Sequence, residues 1–464
     1  MKHRKTRTLR MMVVAAVVAL AVASCGSDAS PDDTSSDAGS DTSTEAATDA
    51  ATSDAATSEG AEETAAESGE PVEIDWWHIQ NNDPGLADWQ AMADAFMAEN
   101  PNVTINITPM ENEAFKAALQ TNLQSGDVPD LFQSWGGGSL RQQVEAGLVR
   151  DITDLSSGWI DQLSPATTGI HQVDGVQYGI PYNAGVFGFW YNQDLWTEAG
   201  LDAPADTWEG LLEQVQTIKD AGITPIAVGA GDKWPAHFYY GYLMIRAGGE
   251  EAMNALAETS DFTADNVITA GEEVLRLVEL EPFQDGFLGA GWDAPDGESG
   301  TMARGDAAMD LMGQWAPGAF KTQAGVEPTD DLPFELKWAP FPTLEGGAGA
   351  PGEVFGGVDG FVVGKDAPDE AVDFLEFLTN EENQETWATS SGLPVNPDAV
   401  DVIEDPQMQQ VLEALNGADF LQIALDQYFS PEVGAAINDQ TALLFAQETT
   451  PEEAGQAITQ VAGG

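Results

Sequence analysis

Alternation of apolar and polar positions opens the folded part of the chain. Val72-Glu-Ile-Asp-Trp-Trp77 predicts a strand. Trp89, Met92, Ala93, Phe96 and Met97 then recur at helical spacing, and Asn100-Pro101 ends that helix. Val103, Ile105 and Ile107 alternate as a second strand. Phe115, Leu119 and Leu123 mark a second helix, closed by Gly126. Asp130-Leu-Phe-Gln-Ser134 is a third short strand, followed by Trp135 and three glycines, and Ser139 to Ala146 reads as a helix. Strands alternating with helices predict a mostly parallel sheet covered by helices.

The middle of the chain repeats this alternation. Gly188-Phe-Trp-Tyr191, Pro225-Ile-Ala-Val228, Ala307 to Met312 and Phe334 to Trp338 are strand-like. Trp208 to Ala221 is helical, capped by Thr207 and ended by Gly222. The C-terminal third is mainly helical: Ala371, Phe374, Leu375 and Leu378 share one face, and Val411 to Leu415, Ile423 to Phe429 and Ala442 to Phe445 suggest further helices.

The N-terminus departs from this pattern. Lys2, Arg4, Lys5, Arg7 and Arg10 precede an uncharged run from Met11 to Ala23. That is a signal-peptide layout, too short for a membrane-spanning helix of about 20 apolar residues. It ends in Val22-Ala23-Ser24-Cys25, which resembles the lipobox of bacterial lipoproteins and implies cleavage before Cys25 and acylation of its thiol. Cys25 is the only cysteine, so no internal disulfide can form. Residues 26–70 carry thirteen acids, no base, no aromatic and no Leu, Ile or Val, and so cannot bury enough apolar surface to offset chain entropy. They read as a disordered tether, which places the signal at 1–24 and the tether at 25–70. The remainder is long enough for two lobes. The chain's 78 acids repel nucleic acid and anionic headgroups, and a soluble surface is the simplest reading of that excess.

Seven segments, in order along the chain, resemble the solute-binding proteins of ABC sugar importers (family 1, maltose-binding-protein-like). Val128-Pro-Asp-Leu-Phe-Gln-Ser-Trp135, with the glycines after it, resembles that family's Pro-Asp strand segment. Gly179-Ile-Pro-Tyr182 with Phe189 to Leu195 resembles its first crossing between lobes. Arg304-Gly-Asp-Ala-Ala-Met309 with Gly313-Gln-Trp315 resembles a further segment, and Gly356 to Phe361 and Gly392 to Pro397 resemble the second and third crossings. The acid excess is a departure the fold does not require. The resemblance implies an α/β fold, a two-lobe periplasmic-binding-protein-like (type II) clamp with hinge crossings. The N-lobe is then 71–183 and 355–391, and the C-lobe 184–354 and 392–464. It also implies a monomeric lipid-anchored receptor outside the cell, a small carbohydrate ligand bound without a cofactor, and an ABC permease as partner.

A sugar offers flat C–H faces to aromatic rings and a rim of hydroxyls to carboxylates and amides. Trp135, at a strand end before three glycines, is a leading stacking candidate, and the resemblance implies the same of Trp234 and Trp315, which match stacking positions of that family. Trp234 lies in Gly231-Asp-Lys-Trp-Pro-Ala-His237, read as a loop, and Trp292 in the polar loop Gly291-Trp-Asp293. Trp76 alternates with Ile74 and reads as core, which leaves Trp77 and His78 to reach the cleft. Glu111, Glu113, Asn183, His237 and Asp359 are candidates for hydroxyls, against helix-dipole, turn or structural roles. Asn81, Asn82 and Asp83 are read as a capping turn, and Trp89, Trp208 and Trp387 as core.

Rival readings are a receptor for a cation such as a polyamine and a secreted glycoside hydrolase. The sequence has no Gly-x-Ser-x-Gly elbow and no P-loop, and His78, His171 and His237 lack zinc spacing. The chain therefore reads as a receptor, not an enzyme.

Overall fold

A computed structural model describes residues 69–390 and 392–463. The signal 1–24, Cys25 and the tether 25–70, apart from its last two residues, lie outside the described residues. Among the described residues no helix is long and apolar enough to cross a membrane.

Two sheets, each with its own core, organise the chain. The larger contains β1 (Val72–His78), β2 (Val103–Pro109), β3 (Leu131–Ser134), β4 (Gly179–Val186), β9 (Glu353–Val363) and β10 (Phe420–Ile423). The smaller contains β5 (Gly188–Asn192), β6 (Thr224–Ile226), β7 (Ala307–Met312) and β8 (Leu336–Pro340), in the order β8-β5-β7-β6. Only Phe187 separates β4 from β5, so the chain passes from one sheet to the other at that residue.

The expectation of mostly parallel sheets needs correction. β1 pairs β2 and β3 in parallel, but β9 runs antiparallel to both β3 and β4. In the smaller sheet only β6 and β7 are parallel. The reason lies in the crossings. β9 enters the larger sheet from the far end of the chain, against the direction of β3 and β4, and long-range pairing of this kind leaves no local signature. β9 holds β4 along one edge, while its first half pairs β10 and its second half pairs β3.

Alternation along β1 fixes its two faces. Ile74 and Trp76 enter the core under α1 (Gly85–Glu99) and the helix Glu370–Thr379. Trp77 points the other way, toward Phe115 and Leu119 of α2 (Asn112–Ser125). The smaller sheet packs under α3 (Trp208–Asp220) and α4 (Trp234–Thr259). As expected, Thr207 caps α3 by accepting the Gly210 N–H, and Gly126, at φ +75°, closes α2.

Two elements differ from the sequence reading. Gly231–His237 is not a loop throughout, because Trp234 is the first residue of α4. Pro235 suits a first helical turn, where its missing N–H is unneeded. From Ala236 to Arg246 every residue is buried, so the segment shows no polar face from which a helical period can be read. Ile423–Phe429 is likewise not one helix. Phe420–Ile423 pairs with Glu353–Gly356 as β10, and a short helix, Leu425–Tyr428, follows.

Candidate functional site

Between the two sheets lies a cavity of about 250 Å³. Its floor is where β3, β4 and β9 meet. The Asp359 carboxylate accepts the Asn183 amide at 3.0 Å and the Gln133 amide at 3.3 Å, and Trp135 adds a third donor. Burial nevertheless pushes the Asp359 carboxyl up to about 6, with those three hydrogen bonds opposing the rise. Gln133 is itself 3 % exposed, and its Oε1 has no hydrogen-bond partner among the described residues. It is an acceptor facing a cavity, the arrangement a ligand hydroxyl satisfies.

Asn183 also ties in the third crossing. Its Oδ1 accepts the Leu393 N–H at 2.9 Å and the Trp387 indole N–H at 3.5 Å. The chain must come this close at Gly392, where an added Cβ would stand 2.6 Å from both Asn183 Oδ1 and Trp387 Nε1.

Aromatic rings form the walls. On the side of the smaller sheet, Trp234 meets Trp292 with ring centroids 5.9 Å apart and Trp315 at 6.5 Å. Phe187 stacks on Phe238 at 3.8 Å and meets Trp315 edge-on. On the side of the larger sheet stand Trp135, Tyr182, and the edges of Trp89 and Trp387, which stack at 5.3 Å. Lys116 lies over the Trp135 ring at 5.6 Å.

Glycine explains how Trp135 is presented. Gly137, at φ +61°, brings the backbone so near the opposite wall that a Cβ would lie 2.4 Å from the Gln427 carbonyl oxygen. Gln427 and Asp426 line the cavity there. A polar bridge also crosses the opening: Asn82 Nδ2 donates to Asp293 Oδ2 at 3.2 Å, and Gln323 donates to Asp293 Oδ1 at 2.8 Å. Burial raises the Asp232 carboxyl against the Trp292 N–H it accepts, and Glu113 on α2 and the capping Glu111 add to that rise.

Of the expected residues, Glu111, Trp135, Asn183, Trp234, Trp292, Trp315 and Asp359 line this one cavity. Glu111 also caps α2, accepting the Glu113 and Ala114 N–H groups, so the two readings of that residue coexist. Four expected residues do not line it. Trp77 packs against the core beneath α2. His78 is fully buried between Trp76 and Trp89, and burial lowers its pKa to about 3. Glu113 faces outward and pairs with Lys116 at 2.9 Å. His237 is fully buried beneath the cavity, where Nδ1 meets the Trp234 carbonyl and Nε2 accepts the Leu425 N–H.

Other lining residues were read differently or missed. Trp89 and Trp387 are core residues, as read, yet each also turns an edge to the cavity. Trp208 is core alone. Asn81, Asn82 and Asp83 line the cavity and do not cap α1, whose first turn has no side-chain cap. Gln133 had a signal, as the only amide in the short strand Leu131–Ser134. Lys116, Tyr182, Phe187 and Phe238 had none that separates them from helix surface or core.

The family model of bacterial extracellular solute-binding proteins matches residues 82–385. An uncharacterized ABC transporter extracellular-binding protein of Pyrococcus horikoshii is 25% identical over 411 residues, covering 84% of this chain and 86% of that one. A lactose-binding protein of Rhizobium radiobacter is 27% identical over 324 residues, covering 67% and 70%. A solved structure from a study of xylan utilization by Caldanaerobius polysaccharolyticus superposes with a TM-score of 0.77 at 28% identity, covering 84% of this chain and 99% of that one. Sequence match and fold agree, and the chain belongs to the family of bacterial extracellular solute-binding proteins.

Proposed function

We propose that this chain is an extracellular receptor that encloses a carbohydrate in the aromatic cavity and delivers it to an ABC importer. The observation that carries this reading is the convergence of Trp135, Trp234, Trp292 and Trp315 on one space whose floor is Gln133, Asn183 and Asp359. Rings for C–H faces and amides or carboxylates for hydroxyls are the two things a sugar requires. The sugar-binding relatives favour the same ligand class.

In this reading the lobes are 71–183 with 355–391 and 184–354 with 392–464, hinged at the crossings. Closure about such a hinge buries the ligand, as periplasmic binding proteins do in general. Acylated Cys25 holds a monomeric body to the outer face of the membrane through the acidic tether. Mass spectrometry of the membrane fraction tests the anchor: a diacylglyceryl group on Cys25 supports it, and an unmodified cysteine contradicts it.

A cationic solute is the second reading, because Asp83, Glu111, Asp293, Asp359 and Asp426 line the cavity against one base, Lys116, among the described residues. Asp293, Asp359 and Asp426 already accept side-chain hydrogen bonds, which favours a neutral ligand. A melting screen of sugars against polyamines decides. A ligand at 100 times its dissociation constant stabilises by about 2.7 kcal/mol. Release of reducing ends during incubation with oligosaccharide would instead indicate an enzyme.

A further inference from the structure

The aromatic cavity does not close at its outer end. Past the loop Asn81–Pro84 and α5 (Ala316–Ala324) it meets a second hollow of about 1070 Å³. Asn82, Asp83, Gly318 and Thr322 line both spaces, so the two share a wall. The inner cavity, about 250 Å³, is smaller than the ~300–1,000 Å³ usual for a small-ligand pocket. A ligand of more than a few rings therefore has to extend beyond it, and the shared wall leads into the outer hollow.

The two spaces differ in chemistry. Among the described residues no aromatic lines the outer hollow. It presents Gln314, Lys321, Thr389, Asp401 and Glu404 beside the apolar Met408. Gln314 is 4 % exposed and its Oε1 has no partner among the described residues. Such a surface offers hydrogen bonds to hydroxyls and no platform for stacking. Its carboxylates disfavour an anionic ligand.

We propose that the outer hollow is an extension subsite for further units of a linear, uncharged oligosaccharide whose end is held in the aromatic cavity. This rests on the carbohydrate reading above and deepens it. Hydrogen bonds that compete with water add little each, so every unit entering the hollow raises affinity by about three- to tenfold.

The experiment is calorimetry of the full chain with xylo-, cello-, malto- and chito-oligosaccharides, each from the disaccharide to the hexasaccharide. Thr389 is exposed on α6 (Glu381–Ser390), so Thr389→Trp fills the hollow from the surface. Lys321→Ala removes a donor whose Nζ now bonds the Pro328 carbonyl. Affinity within the recognised series is expected to climb with length. Thr389→Trp abolishes the climb and Lys321→Ala lessens it, with the shortest binder unaffected by either. Affinity flat with length, or a climb that both variants keep, overturns the subsite alone. Failure of every sugar to bind overturns the carbohydrate reading, and the subsite with it.

Discussion

Asn183 donates its side-chain amide to the Asp359 carboxylate at 3.0 Å, joining β4 to β9 where both strands pass between the sheets. The bond sits at a break in the β9 register, between Asp359 and Gly360. It therefore lies at the floor of the cavity and at the hinge crossing together. Ligand hydroxyls that reach Asp359 act on the strands about which the two halves are proposed to move.

Asp359 makes binding pH-dependent. Its carboxyl is raised to about 6. An ionised Asp359 accepts a ligand hydroxyl better than a protonated one, so affinity falls as pH drops below about 6. Asp359→Asn weakens binding at neutral pH by ~1.5–3 kcal/mol, the range for a hydrogen bond to a charged group, and flattens the profile. The effect on stability has the opposite sense. A raised acid favours the fold at low pH, and that contribution is lost as pH rises from 3.8 through about 6. Calorimetric titrations and melts across this window check both.

Tryptophans of the wall and of the core should separate cleanly. Trp234→Ala or Trp315→Ala weakens sugar binding by ~1–3 kcal/mol, as for other aromatic stacking on flat ligands. Trp208 is fully buried away from the cavity. Trp208→Ala lowers stability by ~3–5 kcal/mol and leaves the affinity of the folded fraction unchanged. Equal loss of affinity in all three variants contradicts the placement of the site.

A pair of acids buried in the smaller half governs alkaline stability. Glu298 accepts the Gly229 N–H at 2.6 Å, while neither Asp310 oxygen has a partner among the described residues. Burial raises both carboxyls well above the usual range, and Asp310 raises Glu298 further. Each therefore holds its proton to a higher pH in the fold than in the unfolded chain, where carboxyls ionise above about pH 4. Stability is thus present at low pH and lost as pH climbs toward their raised values. Asp310→Asn should melt higher than the native chain at pH 8, with the gap narrowing toward pH 4. A gap that does not change with pH contradicts this.

Local patterns in the sequence carried β1, β2, α1, α2 and α3, because each has one buried face and a clear period. They failed for α4, where burial on every side erases the period, and for β10, whose strand state comes from pairing with β9. The site divided the same way. Trp135 stood out because three glycines follow a large ring at a strand end, and Trp234 and Trp315 because their segments resemble the family's. His78 and His237 were misplaced because a histidine looks the same in sequence whether it faces a cleft or fills a core. Gln133 and Tyr182 needed the antiparallel pairing of β3, β4 and β9 to be recognised as neighbours of Asp359.

The central claim is that indole rings from both halves grip a neutral sugar. Isothermal titration of the full chain with neutral oligosaccharides and with spermidine, repeated on Trp135→Ala/Trp234→Ala/Trp315→Ala, tests it most directly. The account predicts that at least one oligosaccharide binds the native chain, that spermidine does not, and that the triple variant folds but has lost the sugar. Tight spermidine binding with no response to any sugar, or sugar binding undiminished in the triple variant, contradicts it.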